Sequence, residues 1–235
     1  MSAKRPDLSV RIGDVELSNP VIAASGTFGY GGEFSEIMDL SQLGGIVVKG
    51  LSIHVERGNA PPRIVETPGG MLNSIGLQNV GAEGFLEEKL PFLRRFNTAV
   101  IANIWGRTFD EYIAVAERLD GAKGLTALEL NISCPNIKEG GINFGTDPKQ
   151  TEQVTRAVRE ASSLPLWVKL TPGVTDIGEL ARAVVEIELI GTPVATSIEV
   201  QIAVVVDVNK ACPGSPEGFI VDSGSLGGVF KFQAS

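Results

Sequence analysis

Cysteine and histidine are almost missing from this chain: there are two cysteines, Cys134 and Cys212, and one histidine, His54, in 235 residues. Two thiols make no disulfide framework, and one imidazole leaves a zinc site little to build from, so a metal is not expected. A reducing compartment fits this usage. Runs of Lys or Arg are absent as well, and the formal net charge is -8. That balance argues against a surface that grips nucleic-acid phosphates. No apolar run reaches the roughly 18 residues of a membrane span, and Met1-Ser-Ala-Lys-Arg-Pro-Asp7 lacks the apolar stretch of a signal peptide. These absences predict a cytoplasmic protein with a small-molecule partner. An apolar fraction of 43% is ordinary for a globular protein, and one domain is the default for this length.

What is present is a regular alternation. Residues 8–17 alternate apolar and polar around Gly13-Asp14, which predicts a small hairpin closing one end of the main domain. Asn19-Pro-Val-Ile-Ala-Ala-Ser-Gly-Thr-Phe-Gly-Tyr-Gly-Gly32 is a short apolar strand entering a glycine-rich turn, and residues 33–43 have helical spacing. Gly45-Ile-Val-Val-Lys-Gly50 is a second strand. Residues 51–80 read as a long structureless loop covering a substrate, because loops of that length in compact domains are often functional. A helix over 82–96 is marked by a kink or break at Pro91. Strands over 99–106, 125–131 and 164–170 alternate with helices over 109–119 and 147–161, the last with Asp147-Pro148 suited to its start.

Five apolar strands separated by helical or loop segments predict an α/β fold with parallel strands. At least four of them end in a polar residue, as at the active face of a (β/α)8 TIM-type barrel. A doubly wound sheet is the alternative, but it would gather its ligand at one switch point. The chemistry-bearing residues sit at the strand ends. Cys134, flanked by Asn131, Ser133 and Asn136, is either a base acting on a substrate that the amides hold or a buried structural thiol in a glycine-rich turn. Lys49 and Lys169 face a shared pocket or cap their strands in solvent; Lys169 could also form an aldolase-type Schiff base. Asn73, Asn103, Asn131 and Asn136 both donate and accept, which suits a planar ligand with imide and carboxylate groups, although each alone could serve a turn. Gly26, Gly29, Gly31 and Gly32 let the backbone approach a flat cofactor or only shape a turn. Trp105 and Trp167 read as packing, and His54 as a surface residue.

Five ordered motifs carry a resemblance: Asn19-Pro-Val-Ile-Ala-Ala-Ser-Gly-Thr-Phe-Gly29, Lys49-Gly50, Asn73-Ser-Ile-Gly-Leu-Gln-Asn79, Asn131-Ile-Ser-Cys-Pro-Asn136 and Trp167-Val-Lys-Leu-Thr-Pro172. Over residues 6–186 the chain resembles the class 1 dihydroorotate dehydrogenases of pyrimidine biosynthesis, and Gly140-Gly-Ile-Asn-Phe-Gly-Thr-Asp147 is similar to the NAD-linked 1B type. The resemblance implies an FMN-containing barrel that oxidises dihydroorotate to orotate. Cys134 would remove the C5 proton while the C6 hydride passes to flavin N5. Lys49, Asn73, Ile75, Gly76, Leu77, Asn131 and Asn136 match substrate-contacting positions. Ala24, Ser25, Gly26, Lys49, Asn103, Asn131 and Lys169 match flavin-contacting ones, with Lys169 near N1 and O2. It also implies a second subunit carrying FAD and an iron–sulfur cluster that passes electrons to NAD⁺, and a homodimer or heterotetramer when the chain is intact.

After Glu186 the pattern departs. The family pattern has a sixth strand ending in Asn-Thr, a substrate-loop helix and two glycine-rich strand ends for the FMN phosphate. Residues 187–235 are instead Val-rich and Ser/Gly-rich, with a strand over 198–208, a turn at Pro213-Gly-Ser-Pro-Glu-Gly218, and a phosphate-loop-like Gly224-Ser-Leu-Gly-Gly228 that no helix follows. The expectation is a single domain over 1–235 whose barrel is incomplete at its C-terminal end, from truncation or a shifted reading frame, or with a divergent tail. A non-catalytic remnant or binding module of the same fold is the alternative function.

Overall fold

The computed structural model describes residues 6–133, 144–171 and 173–189, with side chains as far as 184. The chain opens with β1 (Val10–Ile12) and β2 (Val15–Leu17), an antiparallel hairpin turning at Gly13, whose φ of 62° is left-handed. Five strands then form one parallel sheet: β3 (Ile22–Ala23), β4 (Gly45–Val47), β7 (Ala99–Ile104), β8 (Ala127–Asn131) and β9 (Leu166–Lys169). Their spatial order follows their chain order without reversal. A doubly wound sheet would reverse at a switch point; a strand order that keeps advancing is how a (β/α)8 barrel is wound.

The register divides each strand into an outward and an inward set. Ile46, Val48, Val100, Ala102, Ile104, Leu128, Leu130, Leu166 and Val168 pack outward with helix residues in the main core. Val47, Ile101, Ala127 and Trp167 point the other way and pack with Val15 and Leu17 of the hairpin. The hairpin therefore closes the N-terminal end of the strands, as its sequence predicted. Inward positions further along each strand are polar, and these build the site.

Two helices follow their sequence signals closely. α3 (Phe109–Leu119) starts where the Thr108 side chain accepts from the Glu111 N–H, and buries Tyr112, Val115, Ala116 and Leu119 at helical spacing. α4 (Pro148–Ala161) is capped by Asp147, which accepts from the Gln150 N–H, and buries Thr151, Val154, Thr155 and Val158. The helix predicted over 82–96 runs as α1 (Gly81–Gly84), a π-turn over Phe85–Lys89 and α2 (Leu90–Leu93). The π-turn ends two residues before Pro91, which has no N–H and would crowd the carbonyl of Glu87 in a regular α-helix. α5 (Ile177–Leu189) was not predicted, although Asp176 accepts from the N–H groups of Gly178 and Glu179 at its start.

Two expectations are corrected. Residues 33–43 form short 3₁₀ turns at Gly32–Phe34 and Leu40–Gln42, not a helix. The Asp39 carboxylate takes the Ser41 N–H, and Gly31 at φ 80° sets a left-handed bend before Phe34, so side-chain and backbone bonds compete with helix continuation. The 51–80 segment is not structureless. It carries a second antiparallel hairpin, β5 (Ile64–Thr67) and β6 (Gly70–Asn73), in which every residue is exposed. β-branched Ile64, Val65 and Thr67 beside Pro68-Gly-Gly70 are a hairpin signal that the missing apolar alternation hid. The strand predicted over 198–208, the turn at 213–218 and the glycines at 224–228 lie outside the described residues. Among those described, no helix is long and apolar enough to cross a membrane.

Candidate active site at the strand ends

The inward polar positions lie next to one another because the parallel register makes them so. Asn103 pairs with Glu129, Glu129 with Trp167, and Asn131 with Lys169. Asn103 is fully buried, Glu129 is 2% exposed and Lys169 is 7% exposed. The Asn103 Nδ2 donates to Glu129 Oε1 at 2.6 Å, short as bonds to carboxylates are. Asn131 Nδ2 donates to Asn103 Oδ1 at 3.3 Å. Asn131 Oδ1 in turn accepts from the Ser133 backbone N–H at 3.2 Å and hydroxyl at 2.8 Å. The Tyr112 hydroxyl donates to the Asn131 carbonyl at 2.9 Å and ties helix α3 to the end of β8. Lys169 takes no hydrogen bond or ion pair among the described residues.

Lys49 stands just beyond β4, half-buried, and its backbone N–H donates to the Gly29 carbonyl at 2.9 Å. Burial, reinforced by the positive charge of Arg63, holds its pKa below the ordinary lysine value. Gly50 packs so closely that a Cβ there would come within 2.9 Å of Asn103 Oδ1. Lys49 and Asn103 thus share the same part of the strand ends. Ala24, Ser25 and Gly26 follow β3 directly, in a turn closed by the Thr27 hydroxyl donating to the Ala24 carbonyl at 2.8 Å. Gly26 has a φ of 87°, and a Cβ added there would meet nothing within 4 Å. Its conformation favours glycine, and the space beside it is open.

Asn73, Ile75, Gly76 and Leu77 are grouped differently. Asn73 ends the exposed hairpin strand β6, and residues 74–77 form a turn in which Gly76 and Leu77 both have positive φ, 76° and 57°. Asn59 holds this turn, donating its backbone N–H to the Ile75 carbonyl at 3.0 Å. Among the described residues these four make no hydrogen bond to Asn103, Asn131 or Lys169. The segment is anchored at its base instead: Asn79 Nδ2 donates to Ser52 Oγ at 2.8 Å, and Glu56 pairs with Arg107 at 2.7 Å. Cys134 and Asn136 lie outside the described residues; the chain is described up to Ser133 and again from Phe144. There Gly145 packs against the carbonyl of Ile132, which a Cβ would approach to 2.0 Å.

Sequence reasoning missed Glu129 and Arg63. Glu129 is the one charged residue in β8 and alternates with Asn131, so both fall on one face. Arg63 had no signal beyond its place in Asn59-Ala-Pro-Pro-Arg63, because its effect on Lys49 depends on how the loop folds back.

Residues 7–219 match the family model described as dihydroorotate dehydrogenase. The chain belongs to the dihydroorotate dehydrogenase family. Its barrel strands are thereby those of a (β/α)8 TIM-type fold, of which β3, β4, β7, β8 and β9 are the described part. Among its relatives are proteins named dihydroorotate dehydrogenase B (NAD(+)), catalytic subunit. That of Geotalea uraniireducens is 54% identical over 202 residues, covering 84% of this chain and 66% of the relative. That of Geobacter sulfurreducens is 57% identical over 185 residues, 79% of this chain and 61% of the relative. That of Trichlorobacter lovleyi is 58% identical over 179 residues, 76% of this chain and 59% of the relative. The chain spans 59% to 66% of the length of these relatives.

Proposed function

We propose that this chain is the catalytic part of a dihydroorotate dehydrogenase, oxidising dihydroorotate to orotate with FMN in pyrimidine biosynthesis. The observation that carries this reading is the buried strand-end group. Lys169, 7% exposed, offers an ammonium that no described residue accepts, beside two hydrogen-bonded amides on the inner face of the sheet. A flavin fits this donor set. Its pyrimidine edge carries carbonyl and ring-nitrogen acceptors, which amide N–H groups and an ammonium complement. Lys169 would hold the pyrimidine edge of the ring and would stabilise negative charge there; Asn103, Asn131 and Lys49 would complete the polar contacts. Ala24, Ser25 and the open backbone at Gly26 would line the ring.

FMN, when bound, supplies the acceptor for the hydride on C6 of the substrate. The proton on C5 is the protein's task. That C–H is weakly acidic, and Cys134 removes its proton as general base. A free cysteine pKa of about 8.5 implies activity that rises with pH toward that value unless the site lowers it. Ser133, the residue before this base, is held by two bonds to the Asn131 amide. Asn73, Ile75, Gly76, Leu77, Asn131 and Asn136 contact the substrate together with Lys49, and residues 51–80 cover it. The relatives' NAD(+) designation supports a partner subunit with FAD and an iron–sulfur cluster that passes electrons to NAD⁺. A single domain over 1–235, a cytoplasmic location and a homodimer or heterotetramer complete the proposal.

The test is direct. Purified chain is incubated with FMN, desalted and mixed anaerobically with dihydroorotate. Retained flavin whose visible absorption bleaches is the expected result, and Cys134→Ser should bleach at least roughly 100-fold more slowly, the usual size of a general-base contribution. Protein that emerges colourless overturns the reading, and undiminished bleaching in Cys134→Ser removes the base assignment.

A further inference from the structure

Glu129 is a carboxylate 2% exposed inside the sheet, and the family resemblance gives it no role. It lies beneath Asn131 on the same face of β8 and beside Asn103 of β7. Its bond from Asn103 Nδ2, at 2.6 Å, has one possible direction while the carboxylate is ionised, because a carboxylate only accepts. The Asn103 oxygen must then point away from Glu129, and it takes the Nδ2 of Asn131 at 3.3 Å. The Asn131 oxygen is left facing Ser133, whose N–H and hydroxyl both donate to it, at 3.2 and 2.8 Å. An amide oxygen has two lone pairs, so this one is saturated. Asn131 keeps a single unspent group, the second hydrogen on Nδ2.

We propose that Glu129 is a positioning residue that sets the donor–acceptor polarity of the Asn103–Asn131 pair, so that Asn131 presents only an N–H and selects a ligand acceptor atom, a carbonyl or carboxylate oxygen or an unprotonated ring nitrogen. An asparagine not held this way could rotate its amide and offer either end, and would not discriminate. The chain of bonds runs from carboxylate to amide to amide to the residue before Cys134, and each link is oriented by the one below it. The ligand part of this inference rests on the flavin and dihydroorotate reading above, whereas the polarity part does not.

The experiment separates the two. In the full-length chain labelled with ¹⁵N-asparagine, the side-chain amide signals of Asn103 and Asn131 are assigned by substitution, and Glu129→Gln is compared with the unaltered protein. A glutamine can donate as well as accept, so the imposed direction is lost. The expected result is a downfield, slowly exchanging Nδ2 proton on Asn103 that moves upfield in Glu129→Gln, with the Asn131 signals moving too, relayed through its bond to Asn103. Unmoved Asn131 signals overturn the inference. If Glu129→Gln does not fold, the unaltered protein still decides: one Nδ2 proton of each amide must exchange with solvent much more slowly than its geminal partner, and equal exchange overturns the inference. Orotate titrated into flavin-loaded protein reads the ligand part. Its affinity should fall roughly tenfold in Glu129→Gln, the factor for one directed hydrogen bond, and an unchanged affinity overturns ligand selection. Failure of the unaltered chain to hold FMN would strike the functional reading and leave the amide measurement to decide on Glu129.

Discussion

Lys169 is 7% exposed, and its ammonium has no partner among the described residues. Burying a charge without compensation is costly, and such costs are retained where a ligand offsets them. Lys169→Met keeps the length and removes the charge. It should stabilise the flavin-free chain by roughly 1–3 kcal/mol in urea unfolding while lowering FMN retention; a less stable variant would show that Lys169 has a partner in the protein. Lys49 gives a pH signature. Its folded-state pKa is below 10.5 because burial, and then the charge of Arg63, disfavours the ammonium. Between that lowered value and 10.5 the unfolded chain binds more protons than the folded one, so stability rises with pH through this window and is unaffected below it. Unfolding followed as pH approaches 10.5 should show a rise that Lys49→Met loses; the contribution of Tyr30, whose pKa burial raises, is common to both proteins and drops out of the difference. Both lysines were legible as inward strand-end residues, since each is the lone cation of an apolar run. Glu129 was not, because a single glutamate in a strand ordinarily faces water, and nothing local says that a neighbouring strand brings an amide to it.

Elements were legible where their own residues form both the cap and the buried face. Thr108 and Asp147 cap α3 and α4, and the apolar positions that follow recur at helical spacing, so neither helix depends on distant contacts for recognition. Residues 33–43 have similar spacing but form 3₁₀ turns, because Asp39 satisfies a backbone N–H locally. The β5–β6 hairpin was missed for the opposite reason: its ladder forms without a core face. Val65 is 54%, Met71 59% and Leu72 67% exposed. Stability in such an element is local and low. Hydrogen exchange should therefore show little protection at Val65 and Leu72 against strong protection at Ile101 and Ala102 of β7. If residues 51–80 cover the substrate, protection in the hairpin rises when FMN and orotate are added; an unchanged pattern would count against a covering role.

At the scale of the molecule, the strands separate two cores. The outer one binds sheet to helices, and the inner one binds the N-terminal halves of the strands to the first hairpin, with Trp167 and Leu17 almost fully buried in it. Trp167→Ala should cost about 3–5 kcal/mol, as large-to-small changes in packed cores do. Leu17→Ala should combine with it non-additively by at least about 0.5 kcal/mol. Additive losses would mean that the hairpin does not plug the strands. The barrel class, the closing hairpin, the outward helices and the polar strand ends were all readable from residue order, because periods of two and 3.6 and the residues that punctuate them are local properties of the chain. Which polar residues meet was not. Glu129, Asn103 and Asn131 lie on two strands, and their contact depends on inter-strand register, which the hydrogen-bonded ladder and the packing of both cores set together. Only the tertiary structure could therefore turn a row of asparagines into an oriented chain of donors and acceptors.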